Sequence, residues 1–344
     1  MGEESVQIVG SGVIGLTTGI CLNLCGITTT IVTEQMPNLT EYITKSDTEI
    51  ATEYAAASVK PSTIDVTEEV PKLLRDSIDI FDVFVDKTDC VAYIRHYIGG
   101  DTYKDPFYRD IVQGYQEDVS VAPGNVKYTD VFKCQFIDMP EYIKLLVDLY
   151  RRTGGSITIE KKTDLECEKM TINCTGCGSK ELLNDTNMSK IQGHLAYVET
   201  GERVKRNDQI ESYAYTIDDK PVYAYMQKER LVLGGTTIEE TNPYSQYNTK
   251  PEKIPKHILD ANKSILQNEY GINIFDYPIY GVSGYRPYRD GGVRIEKEQN
   301  CIHNYGHGGC GVTLSWGSAL KVCNLLNCLN KTQIRNKLDL LLDD

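Results

Sequence analysis

The feature that most constrains this chain is Gly10-Ser11-Gly12-Val13-Ile14-Gly15, because of what stands on either side of it. Ser5 to Val9 is apolar at Val6, Ile8 and Val9 and reads as a buried strand. Leu16, Ile20 and Leu24 follow at helical spacing, and Gly26 supplies a helix stop. Thr28 to Val32 is β-branched and reads as a second strand, with Glu34 at its end. A β-α-β unit with glycines at these offsets is built to hold a dinucleotide. Gly10 permits the tight turn, Gly12 lets backbone approach a pyrophosphate, and Gly15 lets helix and strand pack closely. The helix start offers free N–H groups and a partial positive charge to the phosphates, and Glu34 can accept bonds from ribose hydroxyls. The motif alone does not choose between NAD and FAD.

At 344 residues the chain is too long for one ordinary core, so two domains or one large α/β unit are expected. A net charge of −13 argues against nucleic-acid or anionic-membrane partners. No apolar run reaches the roughly 20 residues that span a bilayer. The 11 cysteines form no regular framework and are expected to be reduced, in a cytoplasmic protein. Cys174 and Cys177 make a C-x-x-C, but no second pair accompanies them. They read as a strand end and a turn, and no metal site is expected. The chain ends Leu-Leu-Leu-Asp-Asp, not S-K-L, so a peroxisomal location is less favoured.

Along the middle of the chain, Val70 to Val85 reads as helix and Tyr-rich strands follow it. Pro140 opens an amphipathic helix with Tyr142, Leu145, Leu146, Leu149 and Tyr150 on one face, ended by Gly154-Gly155. Ile157 to Glu160 and Met170 to Cys174 read as strands. From Gly193 to Gly235 the pattern alternates, with strands expected at His194 to Val198, Val222 to Met226 and Arg230 to Leu233. A second unit built on an antiparallel or mixed sheet fits, and no linker separates it from the first. The expected division is 1–60, 140–192 and 280–344 for the dinucleotide-binding domain, and 61–139 and 193–279 for the substrate domain.

Two C-terminal segments narrow the cofactor. Gly284-Tyr285-Arg286-Pro287-Tyr288-Arg289 precedes Arg294 and Glu296. Ile302 to Leu314, continuing through Trp316 to Ala319, reads as strand, glycine-rich loop and helix. This is a second helix start whose N–H groups can face a ligand. A flavin needs one, since negative charge develops near its N1 and C2 carbonyl on reduction. On these segments, with Asn173-Cys174-Thr175-Gly176 and Leu233-Gly234-Gly235-Thr236, the chain resembles the D-amino-acid oxidase and D-aspartate oxidase family of FAD-dependent oxidases. The likeness is weakest between about residues 62 and 139.

The resemblance implies an α/β protein: a Rossmann-like FAD-binding domain interleaved with a substrate domain on a mixed or antiparallel sheet. It implies that Arg286 and Tyr223 hold a substrate α-carboxylate and that the Gly309 carbonyl accepts from the substrate amine. Lys60 falls on a pocket wall usually uncharged in the family. The FAD positions are Gly10, Ser11, Gly12, Val13, Ile14, Gly15, Glu34, Thr52, Thr163, Thr175, Gly308, Gly311, Val312 and Thr313. His307 is tempting as a catalytic group, but in the family pattern its loop acts through backbone. The expected reaction takes a D-amino acid, O2 and water to a 2-oxo acid, ammonia and H2O2. The positions where D-aspartate oxidases carry extra arginines are here Thr216 and Thr237, so neutral or polar substrates are favoured, whereas Lys60 argues for an acidic one. The alternatives are a D-aspartate oxidase, an oxidase of glycine or an N-methylated amino acid, an inactive flavin-binding interaction protein, and an NAD-dependent dehydrogenase. The partners expected are a small D-amino acid and O2, with a homo-oligomer allowed.

Overall fold

The computed structural model describes residues 6–39, 50–120, 122–124, 126–165, 168–201, 204, 211–239, 253–328 and 330–343. Ser5, the expected first residue of the opening strand, lies outside them. In chain order the elements begin with β1 (Val6–Val9), α1 (Val13–Leu24), β2 (Thr29–Thr33), α2 (Val70–Val85), β3 (Val91–Gly100), β4 (Gln113–Gln116) and β5 (Tyr128–Ile137). Next come α3 (Met139–Arg152), β6 (Ser156–Ile159), β7 (Thr171–Asn173), α4 (Ser179–Leu183), β8 (Met188–Glu199), β9 (Ser212–Ile217), β10 (Lys220–Gln227) and β11 (Arg230–Gly234). The chain closes with β12 (Ile238–Glu239), α5 (Lys256–Tyr270), β13 (Ile279–Arg289), β14 (Arg294–Glu298), β15 (Cys301–Tyr305), α6 (Gly311–Leu325) and α7 (Lys331–Asp343).

One sheet has the order β14-β15-β7-β1-β2-β6. It is parallel throughout except where β14 meets β15. Its central strands bury Ile8, Val9, Ile31, Val32 and Ile172, with Thr29, Thr171 and Asn173 buried among them. Helix α1 lies between α3 and α6, and α2 packs across α6. The centre of this layer is aromatic. The ring of Trp316 lies 5.4 Å from that of Phe84, and its Nε1 donates to the Tyr142 hydroxyl at 2.8 Å. Proline in the first turn of α2 and of α3 costs no helical hydrogen bond, because those N–H groups have no acceptor within the helix.

The other sheet runs β12-β8-β11-β10-β9-β3-β5-β4, with β13 on the free side of β8. All its pairs are antiparallel except β3 with β9, so it is mixed. Helix α5 covers β8, β10 and β11 through Ile258, Ile265 and Leu266. The layers do not follow the sequence-read divisions everywhere. Strand β8 runs across the expected cut at 192/193. Strand β13 belongs to the second sheet, because it pairs with β8 over eleven residues from Ile279↔Val198 to Arg289↔Met188. Helix α2 packs with the first sheet's helices: the Gly317 N–H of α6 donates to Ser77 Oγ at 2.8 Å, and a Cβ on Gly317 would lie 2.1 Å from the Leu73 carbonyl oxygen. Among the described residues no helix is long and apolar enough to cross a membrane.

Candidate active site

The two sheets face one cavity of about 1200 Å³. The ends of β1, β2, β6 and β7 open onto it, as do the starts of α1 and α6, the segment 50–63 and parts of β8, β10 and β13. Helix α1 begins at Gly12 with no side-chain cap and no acidic residue in its first turn. Among the described residues, the amide there with a side-chain partner is Val13 N–H, which donates to Thr52 Oγ1 at 3.1 Å. Helix α6 begins at Cys310, again with no side-chain cap and no acidic residue in its first turn. The positive ends of two helices therefore converge on the same space, where they favour a ligand carrying negative charge at two separated points.

The turns that bring these ends in are sterically exacting. A Cβ on Gly15 would lie 1.9 Å from the Gly10 carbonyl oxygen, so α1 crosses β1 at a distance only glycine allows. Gly308 has φ +54°, and a Cβ there would lie 2.1 Å from the Thr63 carbonyl oxygen. That carbonyl accepts the Gly309 N–H at 3.0 Å, tying the glycine loop to segment 50–63. The Thr313 hydroxyl reaches the Ser58 and Lys60 carbonyls, each at 3.3 Å, and so braces α6 rather than projecting into the cavity.

Of the residues expected to hold a cofactor, Gly10, Ser11, Gly12, Val13, Ile14, Glu34, Thr52, Thr163, Thr175, Gly308, Gly311, Val312 and Thr313 all line the cavity. Gly15 is the exception among them; its place is beneath the turn, where it packs. Ser11 Oγ lies 2.9 Å from Thr33 Oγ1 and donates to the Gln35 carbonyl at 2.8 Å, locking the ends of β1 and β2 together. Thr175 is fixed by its N–H and hydroxyl on Asn173 Oδ1, at 3.1 and 2.8 Å. Glu34 meets Lys161 at 2.7 Å, but both are well exposed, so the pair holds the carboxylate only weakly. The volume, the two uncapped helix starts and an available carboxylate at the end of β2 fit FAD. The glycine turns and helix amides would take its phosphates, Glu34 a ribose, and the start of α6 the flavin ring.

Arg286, Tyr223, Gly309 and Lys60 line the same cavity. The Arg286 guanidinium rests on the backbone of Gly193, where a Cβ would lie 2.6 Å from its nitrogens, and it donates to the Thr236 carbonyl at 3.0 Å. Tyr223 packs over Gly234 and Gly235 and hydrogen-bonds Arg286. Burial raises its phenol above the ordinary value despite the neighbouring guanidinium, so it stays protonated and able to donate. Arg286 has no ion pair among the described residues, whereas Arg289 is held by Asp185 at 2.9 Å and Arg294 by Glu296 and Glu298, each at 2.5 Å. Lys60 is likewise without an ion pair among the described residues; burial lowers its ammonium below the ordinary value, partly offset by Cys310 and Cys134.

His307 also lines the cavity, yet its ring is buried and its Nε2 lies 2.9 Å from Ser318 Oγ. Burial drops it to about 3, so it is a neutral structural group. His194 is similar: Nδ1 lies 3.0 Å from Thr236 Oγ1, and burial, then Arg286, then His257 bring it to about 4. Sequence reading missed much of the wall, Thr236, Tyr54 and Tyr225 among it. Thr236 anchors both Arg286 and His194; its place directly after Gly234-Gly235 was a usable signal. Tyr54 and Tyr225 also line the cavity, and nothing in the spacing around them pointed there.

Residues 146–325 match the family described as FAD dependent oxidoreductase. The chain is 27% identical to the D-amino-acid oxidase of Rubrobacter xylanophilus over 336 residues, covering 91% of this chain and 92% of that protein. It is 28% identical to the D-amino-acid oxidase of Dictyostelium discoideum over 229 residues, 63% of this chain and 59% of that protein. The fold is similar to that of glycine oxidase from Geobacillus kaustophilus, with a TM-score of 0.68, 15% identity and 94% of each chain covered. With half of its length matched and with a cavity that fits FAD, the chain belongs to the FAD-dependent oxidoreductase family and is a flavoenzyme of the amino-acid-oxidase type.

Proposed function

We propose that the enzyme oxidises D-amino acids, with neutral or polar side chains favoured, and that Arg286 and Tyr223 hold the substrate's α-carboxylate. The observation that carries this reading is Arg286 itself. It is an arginine on the cavity wall with a tyrosine hydroxyl beside it and no carboxylate among the described residues, while Arg289 and Arg294 nearby are ion-paired. A planar guanidinium on such a wall is suited to a carboxylate that arrives with the ligand. The relatives named D-amino-acid oxidase support the substrate class.

When bound, FAD supplies the acceptor for two electrons from the substrate Cα–H and returns them to O2, giving H2O2. The imino acid that leaves is hydrolysed by water to a 2-oxo acid and ammonia. The chain's own part is placement. Arg286 and Tyr223 fix the carboxylate, and the Gly309 carbonyl accepts from the amine, so the Cα is held by two of its substituents. No side chain is assigned as a base, since His194 and His307 are held neutral by burial and are engaged with Thr236 and Ser318.

Thr216 and Thr237 line the cavity and bring no charge to a side-chain carboxylate. A buried carboxylate without a cation is costly, which favours neutral substrates. A D-aspartate oxidase is the second reading, and it rests on Lys60, a second cation on the wall with no ion pair among the described residues. Anaerobic mixing of the yellow protein with D-alanine, L-alanine, glycine and D-aspartate tests the choice. D-alanine is expected to bleach the flavin absorption fastest. Bleaching by glycine or L-alanine with none by D-alanine refutes the proposal, and D-aspartate in the lead moves it to the second reading.

A further inference from the structure

Far from the cavity, four of the chain's 11 cysteines meet where α1 and α6 end side by side. Cys21 and Cys25 lie one turn apart at the end of α1. Cys323 sits in the last turn of α6, and Cys328 follows the helix. Local geometry brings them in. Gly26 has φ +84° and Ile27 N–H returns to the Leu22 carbonyl at 3.0 Å, closing α1 just past Cys25. Asn327 has φ +53° and Cys328 N–H returns to the Cys323 carbonyl at 2.9 Å, folding Cys328 back beside Cys323.

The sulfurs of Cys25, Cys323 and Cys328 all lie within 4.8 Å of one another, and Cys25 to Cys323 measures 3.9 Å. Cys21, one helical turn before Cys25, lies on the Cys323 side of this group but outside the mutually close three. We propose that Cys25, Cys323 and Cys328, with Cys21 as the fourth ligand, form a structural zinc site that clamps the C-terminal ends of α1 and α6 together. Tetrahedral zinc with Zn–S bonds of about 2.3 Å separates its sulfurs by about 3.8 Å, which the Cys25–Cys323 pair already matches. An all-sulfur group suits a soft, thiophilic cation and excludes calcium and magnesium, which require oxygen.

Two further observations support the clamp. The carbonyl ends of two helices converge there, and their partial negative charge favours a cation. Cys25 and Cys328 are half-exposed while Cys21 and Cys323 are buried, so an ion has a way in and closed ligands behind. A disulfide between two of these thiols is the competing reading, and a loss of two hydrogens in mass would reveal it. Sequence reading found only Cys174-x-x-Cys177 because it sought short-range pairs. These pairs are i,i+4 and i,i+5 and meet only through the packing of α1 on α6. Cys174 and Cys177 themselves form no such group among the described residues.

The test uses the FAD-loaded protein purified under reducing conditions and titrated with zinc alone. Elemental analysis is expected to give one zinc per chain, and zinc X-ray absorption a first shell of sulfur at about 2.3 Å. Chelation is expected to lower the Tm of the parent but not of Cys328→Ser or Cys25→Ser, whose zinc content falls while flavin absorption and turnover persist. Cys328 lies outside the helix, so its variant stays folded even where a helical substitution does not. A parent that takes up no zinc overturns the proposal, as does a mass lighter by two hydrogens in this cluster, or copper bound in place of zinc.

Discussion

Arg286→Ala separates a carboxylate clamp from a structural arginine. The guanidinium touches the molecule at three points: the backbone of Gly193, the Thr236 carbonyl at 3.0 Å, and the Tyr223 hydroxyl. Losing these two hydrogen bonds costs about 2 kcal/mol of stability, small beside the roughly 5–15 kcal/mol that holds a domain together. The variant is therefore expected to fold, stay yellow and unfold within a few degrees of the parent. The substrate loses much more, because a desolvated carboxylate left without its cation costs about 3–5 kcal/mol. At about 1.4 kcal/mol per tenfold, kcat/KM for D-alanine falls roughly a hundred- to several-thousand-fold. Arg286→Lys keeps the charge but loses the fork, and it should fall between variant and parent. Tyr223→Phe removes one hydrogen bond, about 1–2 kcal/mol, and the Tyr223 hydroxyl also contacts Arg286. The double variant should thus lose less than the sum of the two singles. The assay is initial rate of H2O2 release, read beside flavin absorbance and Tm. Near-parental kcat/KM in Arg286→Ala with FAD bound would refute the clamp.

Gly12→Val places a branched side chain where helix amides open onto the cavity and is expected to weaken FAD retention, read by flavin fluorescence after gel filtration, with little change in secondary structure. Thr52→Val removes the side-chain acceptor on the first turn of α1, costing about 1 kcal/mol in denaturant midpoint, most visibly without FAD. Lys60→Gln is expected to leave kcat/KM for D-alanine within about threefold and to reduce whatever D-aspartate activity exists by roughly tenfold, the worth of one screened charge. In the parent, that acidic activity should fade as pH rises through the depressed Lys60 value, since the ammonium is present below it and lost above it. A D-aspartate rate indifferent to both removes Lys60 from substrate recognition.

The legible parts of the fold were those fixed by local chemistry. The β1-α1-β2 unit was readable because each of its glycines answers a local demand. Helix α2 was readable over Val70–Val85 because its apolar face recurs at helical spacing above a proline start. The site was legible where backbone makes it, at Gly10 to Ile14 and Gly308 to Thr313, since glycine tracts at helix starts are rare for any other purpose. What stayed hidden depends on contacts distant in sequence. That β13 belongs to the second sheet is decided by its pairing with β8, some ninety residues earlier in the chain. That α2 covers α6 is decided by the bare backbone at Gly317 meeting Leu73. The thiol group at the ends of α1 and α6 joins residues about three hundred positions apart and has no local signature.

The construction of the cavity also bears on how substrate preference can vary without loss of the cofactor. The cofactor side is made largely of backbone: helix amides, glycine turns and carbonyls that accept from Thr313 and Gly309. The proposed substrate side is made of side chains, Arg286, Tyr223, Lys60, Thr216 and Thr237, carried mostly by the second sheet. Lys60 stands on the border. Its carbonyl braces the start of α6 through the Thr313 hydroxyl, while its side chain belongs to the wall. Changing the residue at 60 therefore alters the charge of the wall without touching the bond that holds α6. The same is true of Thr216, whose carbonyl accepts Asp101 N–H at 3.2 Å, whatever side chain it carries. Arg286 has no such freedom: it sits on bare backbone at Gly193, and any Cβ there would displace it. Preference among side chains is adjustable at positions whose structural duty is done by main chain, whereas a side chain at 193 would move the Arg286 guanidinium and so disturb the proposed carboxylate clamp.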